Sequence, residues 1–146
     1  MSALALATRP NANPPSIHIY VDDDQQRIFV QISGPATATL VCDHVCRLFR
    51  GRPALAAYDM LYDLSDYTGD VTGPDIDPIV DAYADCRADV ALPVRTAFLT
   101  YDRHFQHWAT AMDAQFAGRE HRAFPKLGAA LSFLDTPTTE RRPGLS

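Results

Sequence analysis

Asp63, Ser65, Asp66, Thr68, Asp70 and Thr72 crowd into one short stretch, L-Y-D-L-S-D-Y-T-G-D-V-T-G, from Leu61 to Gly73. Carboxylates and hydroxyls at this density support three kinds of chemistry. The carboxylates can meet the basic groups of a protein partner. A hydroxyl at a helix start can carry a phosphate, because free backbone N–H groups and the helix dipole favour added negative charge. Thr72 and Thr68 are the candidate phosphoacceptors, with Asp66, Asp70 and Asp75 opposing the extra charge. The third is acid–base work by Asp63 and Asp102 at neighbouring strand ends, with His104 close by. The plain alternative is that these residues only cap a helix and make turns.

The acidic character continues. Asp77, Asp81, Asp85 and Asp89 recur every four residues, which on a helix of about 3.6 residues per turn forms a slowly winding stripe. Arg87 relieves it only in part. Such a stripe is a solvated face or a contact for a basic partner. The expected partner-docking set is Asp63, Ser65, Asp66, Thr68, Asp70, Thr72, Asp77 and Asp81. A protein partner is expected there, and a homodimer is one option for the assembly.

A second candidate surface is apolar. Phe105, Trp108, Met112 and Phe116 repeat at helical spacing, the cleanest amphipathic signal in the chain. They form core, or else Tyr101, Phe105, Trp108 and Met112 line a pocket for a small apolar ligand or lipid. No metal and no cofactor are expected. His104 and His107 stand three apart, but no acid or cysteine is placed to complete a site. Cys42 and Cys46, beside Val41, Val45 and Phe49, read as small buried hydrophobes. G-x-S-x-G, P-loop and G-x-G-x-x-G patterns are absent from the sequence. The expectation is a domain without catalytic activity.

The totals agree with a single folded unit. The 146 residues are 47% hydrophobic, and a domain of this size buries roughly 70% of its unfolded surface. A formal net charge of −5 argues against a nucleic-acid surface, where affinity rests on neutralising phosphates. Three cysteines are an odd number and fit a reducing compartment. No window approaches the ~20 apolar residues of a membrane span, and the N-terminus lacks a basic start. A cytoplasmic protein is expected.

The elements that must position these groups follow from period and punctuation. Residues 1–15 and 135–146, rich in proline and polar residues, read as flexible tails around a domain over 16–134. Ile17–Val21 and Arg27–Ser33 read as a hairpin across a polar turn. Ala36–Arg50 is helical and stops at Gly51. Tyr58–Leu64 is a strand, and Pro74–Val90 a helix with Pro78 in its first turn. Arg95–Tyr101 is a strand, followed by a helix capped by Asp102 and running to about Phe116. Glu120–Phe124 is the last strand, and Leu127–Leu134 the closing helix. The order ββαβαβαβα predicts an α/β fold: a mixed, roughly five-stranded sheet with helices packed on it.

This order, with Tyr62–Thr72, Thr96–Trp108 and Arg119–Leu134, resembles the SpoIIAA-like branch of the STAS domains, the fold of anti-sigma-factor antagonists. The resemblance runs from about residue 17 to 134. It implies a small domain that docks a protein partner or a small ligand without turnover. The phospho-switched members carry an Asp-Ser-Ser-Gly-like run where this chain reads D-Y-T-G-D-V-T-G. The chain is therefore more similar to the stand-alone branch, some of whose relatives are grouped with lipid-binding domains.

Overall fold

Ile28, Val30 and Ile32 alternate with Phe29 and Gln31, so one strand sends its aliphatic side chains to a single face. The computed structural model describes residues 14–86 and 93–136. β1 (Ser16–Asp22) pairs antiparallel with β2 (Arg27–Ser33), Ile19 opposite Val30. β3 (Asp59–Asp63), β4 (Val94–Leu99) and β5 (Arg119–Phe124) extend the sheet in parallel, in the spatial order β1-β2-β3-β4-β5. The expected mixed five-stranded sheet is present.

Three helices join the parallel strands and a fourth closes the chain. α1 (Ala38–Gly51) begins at Thr37, whose hydroxyl accepts from the Leu40 amide at 3.2 Å. α2 (Asp77–Cys86) follows a 3-10 turn over Pro74–Ile76. α3 (Arg103–Ala111) is capped by Asp102, which accepts from the His104 amide at 2.9 Å. α4 (Leu127–Asp135) follows β5. The larger core packs α1, α2 and α3 on the face of Ile28, Val30, Met60 and Phe98. The smaller one sets Ala130 and Leu134 of α4 against Leu61 and Ala97 on the opposite face.

Two helices are shorter than the spacing predicts. Pro78 lacks an N–H, so the chain turns tightly over Pro74–Ile76 before α2 begins. Residues 87–92 lie outside the described residues, and with them Arg87, Asp89 and Val90. The apolar stripe of α3 outlasts its helix, which ends at Ala111 and gives way to a 3-10 turn over Met112–Ala114. There Asp113 accepts from the His121 amide at 2.6 Å and the His121 ring at 3.0 Å. That anchor to β5 draws the chain out of helical register while Met112 and Phe116 stay buried. Of the two expected tails, residues 1–13 and 137–146 lie outside the described residues.

Candidate functional site

β3 ends at Asp63, and the chain crosses toward the end of β2. The Gly34 amide donates to the Asp66 carbonyl, and the Thr68 amide to the Gly34 carbonyl, both at 2.9 Å. Gly34 has φ 66°, a conformation open to glycine. The Tyr67 hydroxyl accepts from the Val71 amide at 2.8 Å. Asp63 accepts from the Ser65 amide and hydroxyl. Thr72 donates twice to one Asp75 carboxylate oxygen, from its amide at 2.9 Å and its hydroxyl at 3.0 Å. The segment is stitched down along its length.

Two glycines make this close fit possible. A Cβ at Gly69 would stand 2.6 Å from the Ala36 carbonyl oxygen and 2.6 Å from Tyr67 Cε1, so the Tyr67 ring lies on bare backbone. A Cβ at Gly73 would stand 3.0 Å from Trp108 Nε1. Gly69→Ala is expected to cost about 1–3 kcal/mol by overpacking, since a backbone oxygen cannot swing aside. Hydrogen exchange checks it: the Thr68 amide should exchange about five- to a hundredfold faster, because ~1.4 kcal/mol of local stability is one decade. Gly128→Ala, where nothing lies within 4 Å, is the control and should leave that amide unchanged.

The stitched segment has two sides. Leu64, Tyr67 and Val71 turn inward and line a cavity of about 80 Å³. Ser65, Asp66, Thr68, Asp70 and Thr72 are exposed, and Asp63 is half-buried. Asp77, Asp81 and Asp85 are exposed on α2. The structure thus leaves the expected docking residues exposed, apart from Asp63, which is half-buried. The amides that a phosphate on Thr72 would use are already engaged: Asp75 donates to Thr72, Ile76 to Gly73 and Asp77 to Pro74.

The cavity lies between the sheet and α1–α3. Phe105, Trp108 and Met112 line it as the helical stripe predicts, together with Ile79, Phe98 and Phe116. Tyr101 does not; it is 73% exposed, standing just beyond β4 and ahead of the α3 cap. Phe105 meets Phe98 edge-on at 4.9 Å and Trp108 at 4.7 Å. Tyr67, Val71, Phe105 and Trp108 are only half-buried and mark the side nearest the surface.

One wall is polar, and it comes from residues that sequence reasoning passed over. Arg119 and His121, buried on the inner face of β5, line the cavity beside Thr96, Tyr62 and Tyr83. Burial pushes the His121 pKa down to about 4; the Asp113 hydrogen bond opposes that, and Arg119 reinforces it. The ring is neutral at pH 7. Its Nδ1–H donates to Asp113, which leaves Nε2 as an acceptor. Burial raises the Tyr62 pKa, so its hydroxyl keeps its proton. The missed signal was the period of β5: in R-E-H-R-A-F, alternation places Arg119 and His121 with Ala123 on one face.

The remaining candidates do not converge. Asp102 is occupied as a cap, Asp63 bonds Ser65, and His104 is exposed. No hydrogen bond or ion pair joins these three among the described residues. No cluster of metal-ligating side chains is found among the described residues, and His104 and His107 are both exposed. Cys42 and Cys46 are buried, and burial raises both thiol pKa values. No helix among the described residues is long and apolar enough to cross a membrane.

No protein-family model and no curated protein matches the sequence. Among solved structures, the chain is similar to an uncharacterized protein from the DUF3478 family of Shewanella loihica PV-4, which has a SpoIIAA-like fold. The two share 18% identity at a TM-score of 0.58, over 84% of this chain and 97% of the other. An anti-sigma factor antagonist from Mycobacterium paratuberculosis aligns at a TM-score of 0.49, with 16% identity over 84% of this chain and 97% of the other. Strand order, helix placement and the near-complete coverage of the Shewanella protein agree: this chain has the SpoIIAA-like fold that its sequence resembles.

Proposed function

We propose that this domain binds a small, largely apolar molecule in the cavity beneath the Leu64–Gly73 segment and performs no reaction on it. The observation that carries this reading is the cavity itself. Protein interiors hold few voids larger than a water molecule. This space of about 80 Å³, partly open to solvent and walled mainly by aromatic and aliphatic side chains, offers a small apolar guest contacts that the bare protein does not make. A ligand that fills it gains those contacts. The cavity is smaller than the ~150 Å³ engineered pocket that accepts benzene, so a larger guest must lift the overlying segment.

Native mass spectrometry of freshly purified protein tests the reading, with a retained small molecule as the expected result. A thermal-shift panel of apolar compounds is the second arm. A compound at ~100 times its Kd adds about 2.7 kcal/mol, which raises Tm by several degrees. Bare protein together with a flat panel would end the proposal.

A second reading has its own observation: the exposed side of the same segment is held rigid while Asp66, Thr68, Asp70 and Thr72 point to solvent. A prearranged acidic rim continued by Asp77 and Asp81 suits a basic protein partner. Because roof and rim are one segment, ligand entry would alter the docking face. Alanine at Asp66 and Asp70 should leave Tm within about 1–2 °C, since exposed substitutions rarely exceed ~0.5 kcal/mol, and should abolish capture of that partner. Capture that persists at full strength removes the rim from the function.

A further inference from the structure

The His121 ring has one nitrogen bound and one bare. Its side chain is 3% exposed. Phe98 stacks along it at 6.2 Å and 18°, and Phe116 tilts against it at 5.1 Å. Asp113 Oδ1 accepts from the His121 amide at 2.6 Å and from ring Nδ1 at 3.0 Å, while Arg122 donates to Oδ2 at 3.1 Å. A carboxylate in such a pairing only accepts, so the neutral ring carries its proton on Nδ1. Nε2 is left with a lone pair and with no hydrogen-bond partner among the described residues. It is not one of the unpartnered side-chain atoms that packing closes off completely, as Arg119 Nε is. Two aromatic rings flank the imidazole and Asp113 holds its other nitrogen, so the surface that Nε2 keeps belongs to the cavity, whose wall includes His121.

An acceptor that has given up water and received no donor is a cost to the folded protein. We infer that the cavity takes a small apolar alcohol or phenol, whose O–H donates to His121 Nε2 while its hydrocarbon body lies among Phe98, Phe105 and Phe116. This rests on the apolar-ligand reading above and names its chemical class. Charged guests suit the site less well. A carboxylate or phosphate would set its oxygen lone pairs against that of Nε2. An ammonium would add a second cation to a wall that already holds the Arg119 guanidinium. A neutral hydroxyl satisfies Nε2 and leaves the rest of the guest to the apolar walls.

Phenol and toluene test this on the unaltered chain at pH 7. They are of similar size, so they ask the same of the overlying segment and differ only in O–H for methyl. Isothermal titration should show phenol binding at least as tightly as toluene. A cavity without a usable acceptor would favour toluene by roughly tenfold or more, because it would strip water from the hydroxyl and return no bond. In the nitrogen-15-labelled protein, His121 Nε2 should resonate as an unprotonated nitrogen, move upfield with phenol and hold its place with toluene. Tighter binding of toluene, a protonated Nε2 in the free protein, or an Nε2 signal unmoved at phenol saturation each overturns the His121 anchor and leaves the cavity reading standing. If neither compound binds, the cavity reading falls and the anchor with it.

Discussion

Arg119→Met lowers the unfolding free energy by about 2–4 kcal/mol, read in thermal unfolding as a Tm lower by roughly 6–12 °C. Two opposing effects set the number. The substitution removes donors from the Ala56 and Tyr58 carbonyls at 3.0 and 2.7 Å, and the contact of the guanidinium with the Tyr83 ring at 5.2 Å. Each acceptor left dry costs about 1–3 kcal/mol. Against that, methionine relieves the burial of a cation that pairs with no carboxylate among the described residues. The lost bonds win, because the two Nη2 contacts tie β5 to the Pro53–Ala57 turn and its exit, across the inner face of the sheet. Arg119→Lys separates the causes. It keeps the charge but cannot span both carbonyls, so a similar loss assigns the effect to the fork. An unchanged or higher Tm for the methionine variant would show that charge burial dominates.

Between pH 7 and pH 4.5 the protein loses about 2–3 kcal/mol through His121 alone, measured by urea unfolding at the two values. The direction follows from the shift. In the unfolded chain the imidazole takes up a proton near pH 6.5, whereas the folded protein holds its pKa at about 4. Below 6.5 the unfolded state therefore binds a proton that the folded state refuses, and stability falls until the folded pKa is passed. A gap of this size is worth about 3 kcal/mol in full, at ~1.36 kcal/mol per unit. Burial is the first cause of the depressed value; the Asp113 hydrogen bond works the other way. His121→Asn can still donate toward Asp113 and cannot titrate. Its stability should fall less over the same window, and the difference isolates His121 from the carboxylates. Equal slopes for the two proteins would show that the ring titrates normally.

The order of strands and helices was legible in the chain because it rests on local rules. Alternation in Ile28–Ile32 marked β2 and its inner face. Asp102 was identifiable as a cap, since a short acceptor ahead of an amphipathic run has few other roles. The α3 stripe announced that Phe105, Trp108 and Met112 face inward. Where α3 ends was not legible, because the stop comes from Asp113 bonding a residue on another strand. The loop residues were correctly grouped, but their division was hidden. Leu64, Tyr67 and Val71 became a roof and Asp66, Thr68 and Asp70 a rim only when Gly34 and the Ala36 carbonyl fixed the path of the chain.

The sequence by itself determined the order of the elements, the inner faces of β2 and α3 and the acidic character of the loop, because these follow from spacing along one segment. Only the tertiary structure decided that a cavity exists and that, among the described residues, no carboxylate pairs with the Arg119 on its wall. A cavity is the space left when side chains from several elements fail to meet. A charge is unpaired only when every neighbouring chain segment is in place. Neither property belongs to any stretch of residues read alone.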